Sequence, residues 1–168
     1  MTAPTITVRE ASMDDAAVVR DLRLAALKAV PHFYGGNFDE VVARRLGLWE
    51  AQLLHADEDG RWCFLAYAGE QPVGVGWVTL TPRDERGPCE LQGLWVSEGY
   101  RALGVGHLLN NFRENFARDM GVEAMHVTCA GSNTKARSLM ESCGYVVLKV
   151  ESWLGREPET LVHMTKSL

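Results

Sequence analysis

The sequence predicts one mixed α/β domain in which helices are interspersed among strands along the chain. Two patterns indicate this fold class. Apolar residues recur at helical spacing in some segments, whereas others are short runs rich in β-branched and aromatic residues. Turn residues separate these segments, with no repeat, low-complexity tract or linker between them. We therefore expect a single domain over residues 1–168, built from a sheet covered by helices.

The first part of the chain predicts one strand and two helices. Residues 6–9 alternate and indicate a short edge strand, and Ser12 begins a Ser-Met-Asp-Asp sequence typical of a helix start. The helix that follows should end at Pro31. Its predicted buried residues are Val18, Val19, Leu22, Ala25, Ala26 and Ala29. A second helix is predicted over residues 38–55, with Phe38, Val42, Leu46, Trp49 and Leu53 on one side.

The remaining segments predict six strands and two helices. Residues 62–68 and 73–81 should form a hairpin, and a charged connector over residues 82–88 should lead to a strand ending at Val96. A helix is predicted from Gly104 to Gly121, with Val105, Leu108, Leu109, Phe112, Phe116 and Met120 on its buried face. The chain should end with a strand over residues 124–129, a helix over residues 133–143, and strands over residues 145–150 and 161–166.

Composition and charge exclude several classes of protein. The formal net charge of −5 argues against a nucleic-acid-binding protein and mildly favours a cationic or amine partner. No apolar run approaches the length of a membrane-spanning helix, and the first residues do not resemble a signal peptide. The four cysteines are scattered without metal-ligand spacing, so we expect reduced thiols and no metal site. These observations predict a cytoplasmic protein.

Residues 89–110 contain the strongest functional pattern, namely a strand end, a loop with two glycines and a helix start. Such a loop directs backbone N–H groups and the positive end of a helix dipole at one point, where phosphate binds. Leu109 replaces the last glycine of the dinucleotide pattern G-x-G-x-x-G. His107 and Leu108 replace the lysine and hydroxyl residue of a Walker loop. Neither of these nucleotide-binding loops is therefore predicted.

The pattern that does match is R-x-x-G-x-G, which resembles the pyrophosphate loop of the GNAT superfamily of N-acyltransferases. It reads Arg101-Ala102-Leu103-Gly104-Val105-Gly106. A second match, Asn133-x-x-Ala136-x-x-Leu139 followed by Cys143-Gly144-Tyr145, is similar to the element that completes the cofactor site in that family. The predicted order of strands and helices agrees as well. The resemblance implies the GNAT fold, with a mostly antiparallel, splayed sheet of about six to seven strands flanked by four helices.

The resemblance also implies that acetyl-CoA is the acyl donor and that an amine is the acceptor. Backbone N–H groups of the loop would bind the CoA pyrophosphate, and those at the end of the preceding strand would bind the pantetheine arm and the thioester oxygen. The residues assigned to the donor in this way are Leu94, Trp95, Val96, Arg101, Ala102, Leu103, Gly104, Val105, Gly106, His107 and Asn133. Asn133 has the alternative interpretation of a helix cap, and Arg101 that of a surface arginine.

Two positions bear on the chemistry of transfer. Gly93 interrupts an apolar strand, which predicts a β-bulge that would change the alternation of the residues after it. Glu90 begins the same strand, and the resemblance places a catalytic glutamate there, so we expect it to be the general base. Either burial would make it a stronger base or ordered water would relay the proton. The alternative for Glu90 is a solvated residue at a strand start. Met140 stands where many family members have the tyrosine that protonates the leaving thiolate, so no general acid is assigned.

The acceptor remains open at this point. The loops over residues 31–37 and 153–160 should flank its pocket, and they contain His32, Phe33 and Tyr34. A small amine would fit a closed pocket and a peptide amine an open groove. The alternative to an enzyme is a non-catalytic acyl-CoA-binding sensor. By analogy with such domains, a homodimer is also expected.

Overall fold

The computed structural model describes residues 4–34, 37–80 and 89–168. Its strands are β1 (Ile6–Glu10), β2 (Arg61–Ala68), β3 (Gln71–Thr79), β4 (Glu90–Val96), β5 (Ala124–Ala130), β6 (Val146–Ser152) and β7 (Thr160–Ser167). Its helices are α1 (Ala16–Ala29), α2 (Phe38–Ala43), α3 (Leu46–Leu54), α4 (Ala56–Asp59), α5 (Val105–Asp119) and α6 (Thr134–Ser142). The predicted connector over residues 82–88 lies outside the described residues, as do Gly35 and Gly36 of the aromatic loop.

The strands form one sheet in the order β1-β2-β3-β4-β5-β7-β6. All neighbouring strands are antiparallel except β4 and β5, which are parallel. Residues of α1 and α3 pack on one face of the sheet, around Trp49, Trp77 and Trp95. Residues of α5 and α6 pack on the other face. The mixed α/β class and the mostly antiparallel sheet are therefore confirmed. No helix in the described ranges is long and apolar enough to cross a bilayer.

The start of the first helical segment was predicted correctly. The backbone N–H and the hydroxyl of Ser12 both donate to Asp15 Oδ2, at 2.8 and 3.1 Å. Asp15 also accepts from Arg9 at 2.7 Å, which connects this helix start to β1. The buried face of α1 differs in part, because Ala25 and Ala29 are exposed and Leu27 is buried instead.

The prediction of one helix over residues 38–55 was wrong. The backbone is extended at Arg44 and Arg45, with ψ angles of 120° and 143°, so α2 ends there and α3 begins in a new direction. The apolar residues of α2 and α3 therefore do not form one continuous helix face. Trp49 is buried as expected, whereas Phe38 and Val42 are exposed.

The buried face of α5 was also predicted only in part. Val105 and Leu109 are buried, but Leu108 and Phe112 are each 39% exposed and Met120 is 55% exposed. The helix is rotated relative to the prediction because it buries polar side chains as well as apolar ones. The buried residues of α5 are Val105, Leu109, Asn110, Arg113, Glu114 and Ala117.

Arg113 is fully buried and binds the backbone of two strands. Its Nη1 donates to the carbonyl oxygens of Trp77 in β3 and Gln92 in β4, at 3.1 and 3.2 Å. Its guanidinium lies against Gly76, where an added Cβ would come within 2.9 Å of Nη1 and 3.0 Å of Cζ. Burial lowers the pKa of Arg113 to about 10, because the charged form loses water.

A chain of hydrogen bonds connects Arg113, beside β3 and β4, to Lys166 of β7. Arg113 Nη2 donates to Asn110 Oδ1 at 3.1 Å, and Asn110 Nδ2 donates to Glu114 Oε1 at 2.8 Å. Glu114 Oε2 then accepts from Lys166 Nζ of β7 at 2.7 Å. The chain therefore connects the β3–β4 side of the sheet to the β5–β7 side through α5.

The two sides of the sheet separate beyond the first residues of β4. The parallel pairing with β5 is limited to Glu90 with His126 and Leu91 with Val127. From Gln92 onward, the edge of β4 that faces β5 has no partner strand. The sheet is therefore splayed, as the resemblance implied.

We expect Gly76→Ala to lower the free energy of unfolding by about 1–3 kcal/mol, because the new methyl group would overlap a guanidinium that cannot move away. The matched control is Gly47→Ala in α3, whose added Cβ comes no closer than 3.8 Å to Glu50 Oε2. That change should leave stability unchanged or raise it by up to about 1 kcal/mol, since alanine favours a helix. Urea denaturation of the three proteins measures both effects. Equal stability of the two variants would contradict this account.

Candidate active site

The loop before α5 leaves the first backbone N–H groups of the helix available. Ala102 and Gly104 adopt positive φ angles of 62° and 79°, which turn the chain directly into α5. Gly104 is the N-cap residue, and no side chain caps the helix. The N–H groups of Val105, Gly106 and His107 therefore point out of the helix, where an anion is favoured. An added Cβ at Gly104 would meet no atom within 4 Å, so the space beside it is open.

The predicted bulge occurs at Gly93. Gly93 has a φ angle of 58°, and the register between β3 and β4 shifts there, so two residues of β4 lie opposite Gly76. The alternation of side chains between the two faces of the sheet changes accordingly. Glu90 and Gln92 lie on one face, whereas Leu94 packs in the core cluster on the other face, with α5. A shift in alternation of this kind was expected from the sequence.

Beyond the bulge, β4 directs backbone groups of alternate residues into the splay. The Ser97 N–H donates to Val73 O of β3 at 2.8 Å, so Trp95, two residues earlier in the same register, also directs its backbone N–H and C=O at β3. The N–H and C=O of one residue point to the same side of an antiparallel ladder. The backbone groups of Leu94 and Val96 therefore face the gap between β4 and β5.

The two carbonyl oxygens in this gap accept side-chain hydrogen bonds. Leu94 O accepts from the hydroxyl of Tyr34 at 2.9 Å, and Val96 O accepts from Nε of Arg101 at 2.9 Å. Arg101 also stacks on Trp95, with Cζ 4.5 Å from the ring centroid. The Arg101 side chain thus supports the end of β4 through its Nε–H group and its stacking on Trp95. Leu103 of the same loop is exposed.

Helix α6 lies beside the start of α5. His107 Nε2 and Ser142 Oγ are 2.7 Å apart, and an added Cβ at Gly106 would lie 3.1 Å from Leu139 Cδ2. Asn133 is the N-cap of α6, and its Oδ1 accepts from the Ala136 N–H at 3.2 Å. The side-chain oxygen of Asn133 therefore acts as a helix cap, which is the alternative that the sequence offered for this residue.

Met140 and Tyr145 are both buried in the core. The Tyr145 hydroxyl has no hydrogen-bond partner in the described part of the chain. Burial and the nearby Glu114 carboxylate raise the pKa of Tyr145 well above its usual value. Because both side chains are buried, neither can protonate a thiolate that leaves toward solvent.

Glu90 lies at the start of β4, where β4 and β5 are still paired. Its Oε2 accepts from Gln92 Nε2 at 2.9 Å, and Gln92 Oε1 accepts from the hydroxyl of Thr79 at 3.3 Å. Glu90 is half-buried and sits opposite His126 of β5. Its carboxylate is therefore oriented by neighbours on the face of the sheet opposite α5.

The two predicted acceptor loops are joined directly. Arg156 Nη1 donates to the carbonyl oxygens of His32 and Tyr34, at 3.3 and 3.0 Å. Arg156 also stacks on Trp153, with Cζ 4.4 Å from the ring centroid. The segment after Val30 is thus held against the loop between β6 and β7.

Sequence reasoning missed two features of this region. One is Arg113 beneath the bulge, although its spacing of four and eight residues from Leu109 and Val105 places it on the same helical face. The other is the contact of Tyr34 with Leu94, which no local pattern indicates. Within the described ranges, no group of three or more His, Cys, Asp or Glu residues could bind a metal ion.

The Acetyltransferase (GNAT) family model matches residues 26–145 of this chain. One curated relative, "Probable N-acetyltransferase 14" of Xenopus tropicalis, is 34% identical over 80 residues, which are 48% of this chain and 39% of the relative. Another, the mycothiol acetyltransferase of Geodermatophilus obscurus, is 28% identical over 116 residues, 64% of this chain and 38% of the relative. The matched stretches thus span less than half the length of these curated relatives.

Several solved structures of acetyltransferases have the same fold as this chain. A GNAT acetyltransferase from Streptococcus pneumoniae has a TM-score of 0.82 and 22% identity, covering 98% of this chain and 100% of that one. A ribosomal-protein-alanine N-acetyltransferase from Brucella melitensis has a TM-score of 0.80 and 20% identity, with coverage of 96% and 99%. The spermidine N-acetyltransferase of Vibrio cholerae, solved with CoA and spermine, has a TM-score of 0.77 and 16% identity, with coverage of 96% and 95%.

The family model covers more than half of the chain, and the splayed sheet and the uncapped loop helix agree with it. The chain belongs to the acetyltransferase (GNAT) family.

Proposed function

We propose that this protein transfers an acetyl group from acetyl-CoA to a primary amine of a small molecule. The observation that carries the proposal is that the uncapped start of α5 lies beside the splayed end of β4. The uncapped start of α5 presents N–H groups suited to a diphosphate, and the splayed end of β4 presents backbone groups suited to pantetheine and a thioester. Family membership supports acetyl-CoA as the donor.

The donor is bound mainly by backbone groups in this proposal. The N–H groups of residues 102–107 bind the diphosphate, whereas the N–H of Arg101 donates to Glu98 O at 3.2 Å. The backbone of Leu94 and Val96 binds the pantetheine arm. An N–H group in the splay polarises the thioester oxygen, and one such donor contributes about 3 kcal/mol to lowering the barrier. Asn133 adds a contact through its amide nitrogen, since its oxygen caps α6.

Transfer proceeds by direct attack of the amine on the thioester carbonyl. A C–N bond forms, the C–S bond breaks, and the electron pair leaves with sulfur as the CoA thiolate. The nitrogen releases its second proton to water as the amide forms. Glu90, oriented by Gln92, takes the proton of the ammonium through ordered water. No side chain is assigned as the acid for the thiolate, because Met140 is buried and has no proton to donate. A thiolate can leave into water without one.

The bridge between the acceptor loops favours a small amine over a peptide. Arg156 connects the loop after β6 to the backbone at His32 and Tyr34, and this connection crosses the place where a peptide groove would lie. The structural neighbours include acetyltransferases named for a protein substrate and for spermidine. Because these neighbours are named for different acceptors, our choice of a small amine depends on the contacts that Arg156 makes in this chain.

A non-catalytic acyl-CoA sensor is the second candidate, favoured by the burial of Met140 where a proton donor would act. We also expect the protein to act in the cytoplasm. A homodimer remains a prediction by analogy with related domains.

Release of free thiol from acetyl-CoA in the presence of an amine panel distinguishes the two candidates. The enzyme proposal predicts amine-dependent thiol release and formation of the N-acetyl product by mass spectrometry. Tight binding of acetyl-CoA without turnover of any small amine or peptide would favour the sensor. If only peptides were acetylated, the acceptor would be a peptide and not a small molecule.

We expect Glu90→Gln to lower kcat/KM by about 10²-fold or more, because it removes the proton acceptor and keeps the shape of the side chain. The pH profile of kcat/KM should change with it. The control is Glu123→Gln, an exposed glutamate between α5 and β5. If Glu90→Gln matched the wild type in both rate and pH profile, the base would have to be another group.

We expect Gly104→Ala to weaken CoA binding by about tenfold, because an alanine at a φ angle of 79° costs about 1–2 kcal/mol and reshapes the loop. The control is Gly99→Ala. An added Cβ at either glycine would meet no atom within 4 Å, but only Gly104 has a positive φ. Isothermal titration calorimetry measures both Kd values. Unchanged binding in Gly104→Ala would show that the loop backbone is not the diphosphate site.

A further inference from the structure

Arg23 of α1 is half-buried and has no acidic partner in the described part of the chain. Its guanidinium stacks on the ring of Tyr34, with Cζ 4.8 Å from the centroid, and no salt bridge or hydrogen bond of this group occurs among the described residues. Burial lowers the pKa of Arg23, because the charged form loses part of its hydration. A partly dehydrated cation of this kind is costly unless an anion compensates it.

Tyr34 connects this cation to the reacting strand. Its hydroxyl donates to Leu94 O, at the point where β4 separates from β5. Burial raises the pKa of Tyr34 to about 12, so the hydroxyl keeps its proton and this hydrogen bond. Arg23 is therefore held one tyrosine ring away from the strand that faces the thioester.

Two further arginines surround the same tyrosine. Arg156 donates to the backbone oxygen of Tyr34 from the loop between β6 and β7. Arg101 stacks on Trp95, and its charge, like that of Arg23, stabilises the ionised form of Tyr34. Each guanidinium has five N–H donors, and the contacts named leave most of them available.

The carboxylates in the nearby loop are already engaged. Glu157 Oε1 accepts from the Gly155 N–H at 3.2 Å, and Glu159 accepts from the hydroxyl and N–H of Ser132. Neither forms a salt bridge with an arginine in the described part of the chain. Arg23, Arg101 and Arg156 are thus near Tyr34 with no carboxylate paired to any of them in the described part of the chain, although the whole chain has a net charge of −5.

We propose that the acceptor amine carries an oxyanion, a carboxylate or a phosphate, and that Arg23 binds this group beside the end of β4. This inference rests on the acetyl-transfer function proposed above and specifies its substrate class. Arg23 determines specificity through charge-assisted hydrogen bonds to the oxyanion, and Arg156 contacts the backbone oxygen of the same tyrosine. Polyamines would be repelled here.

The test compares matched amines that differ only in the anionic group. One arm uses L-amino acids against their carboxamides, a second uses aminohexose phosphates against the unphosphorylated aminohexoses, and spermidine serves as the cationic probe. For the wild type we expect kcat/KM to be about tenfold to a hundredfold higher for the anionic member of a pair. The arm that shows the preference identifies carboxylate or phosphate. Equal rates within both pairs, or a preference for spermidine, would overturn the inference.

The variant Arg23→Gln should abolish this preference by raising the KM for the anionic acceptor, with the KM for acetyl-CoA unchanged. Arg23→Lys, which keeps the charge, should restore part of it. The matched control is Arg20→Gln on the same helix, where the arginine pairs with Asp21 at 3.0 Å. A rise in the KM for acetyl-CoA in Arg23→Gln would assign Arg23 to a phosphate of the donor and overturn the inference. The wild-type preference needs no variant, so the test stands even if a variant fails to fold.

Failure of the proposed function has a different signature. If no amine in the panel is acetylated, the acetyl-transfer proposal fails, and thermal shifts of the CoA-loaded protein then test the site alone. A larger rise in Tm with the anionic amines, lost in Arg23→Gln, would support the oxyanion site. Identical shifts within each matched pair would overturn it.

Discussion

The buried guanidinium of Arg113 holds the irregular backbone on which the candidate site depends. It donates to carbonyl oxygens of both β3 and β4 beside the bulge, where the register of the ladder shifts. Gly76 leaves the space that this group fills. An isolated buried charge would be strongly destabilising, but Arg113 is hydrogen-bonded and belongs to a chain that includes Glu114 and Lys166. The bulge is thus fixed by buried polar contacts as well as by apolar packing.

The same chain of contacts joins the two sides of the splayed sheet. Lys166 belongs to β7 and Arg113 contacts β3 and β4, so the two separated sides are joined through α5. The N-terminus of that helix faces the proposed diphosphate, and its buried face fixes the strand proposed to hold the thioester. One helix therefore relates two parts of the donor site. This arrangement explains why polar residues occupy part of a helix face that could have been wholly apolar.

The sequence predicted features that local chemistry determines. Gly93 indicated a bulge because a strand glycine without a packing role marks irregular backbone, and Ser12 indicated a helix start. The features that it did not predict depend on distant contacts. Apolar periodicity could not show that Arg113 would be buried, since its backbone partners lie on the two strands β3 and β4. Nor could it show that the backbone would extend at Arg44 and Arg45. Nor could it place Tyr34 against Leu94, sixty residues away.

In this account, backbone amides at the end of β4 and the start of α5 bind the acyl donor. Titration of the nitrogen-15-labelled protein with CoA, followed by amide chemical shifts, tests this claim residue by residue. We predict the largest changes at residues 101–107, with a second group at Leu94 and Val96, and small changes on the exposed strand β6. Large changes confined to other parts of the chain, with residues 101–107 unaffected, would contradict the account.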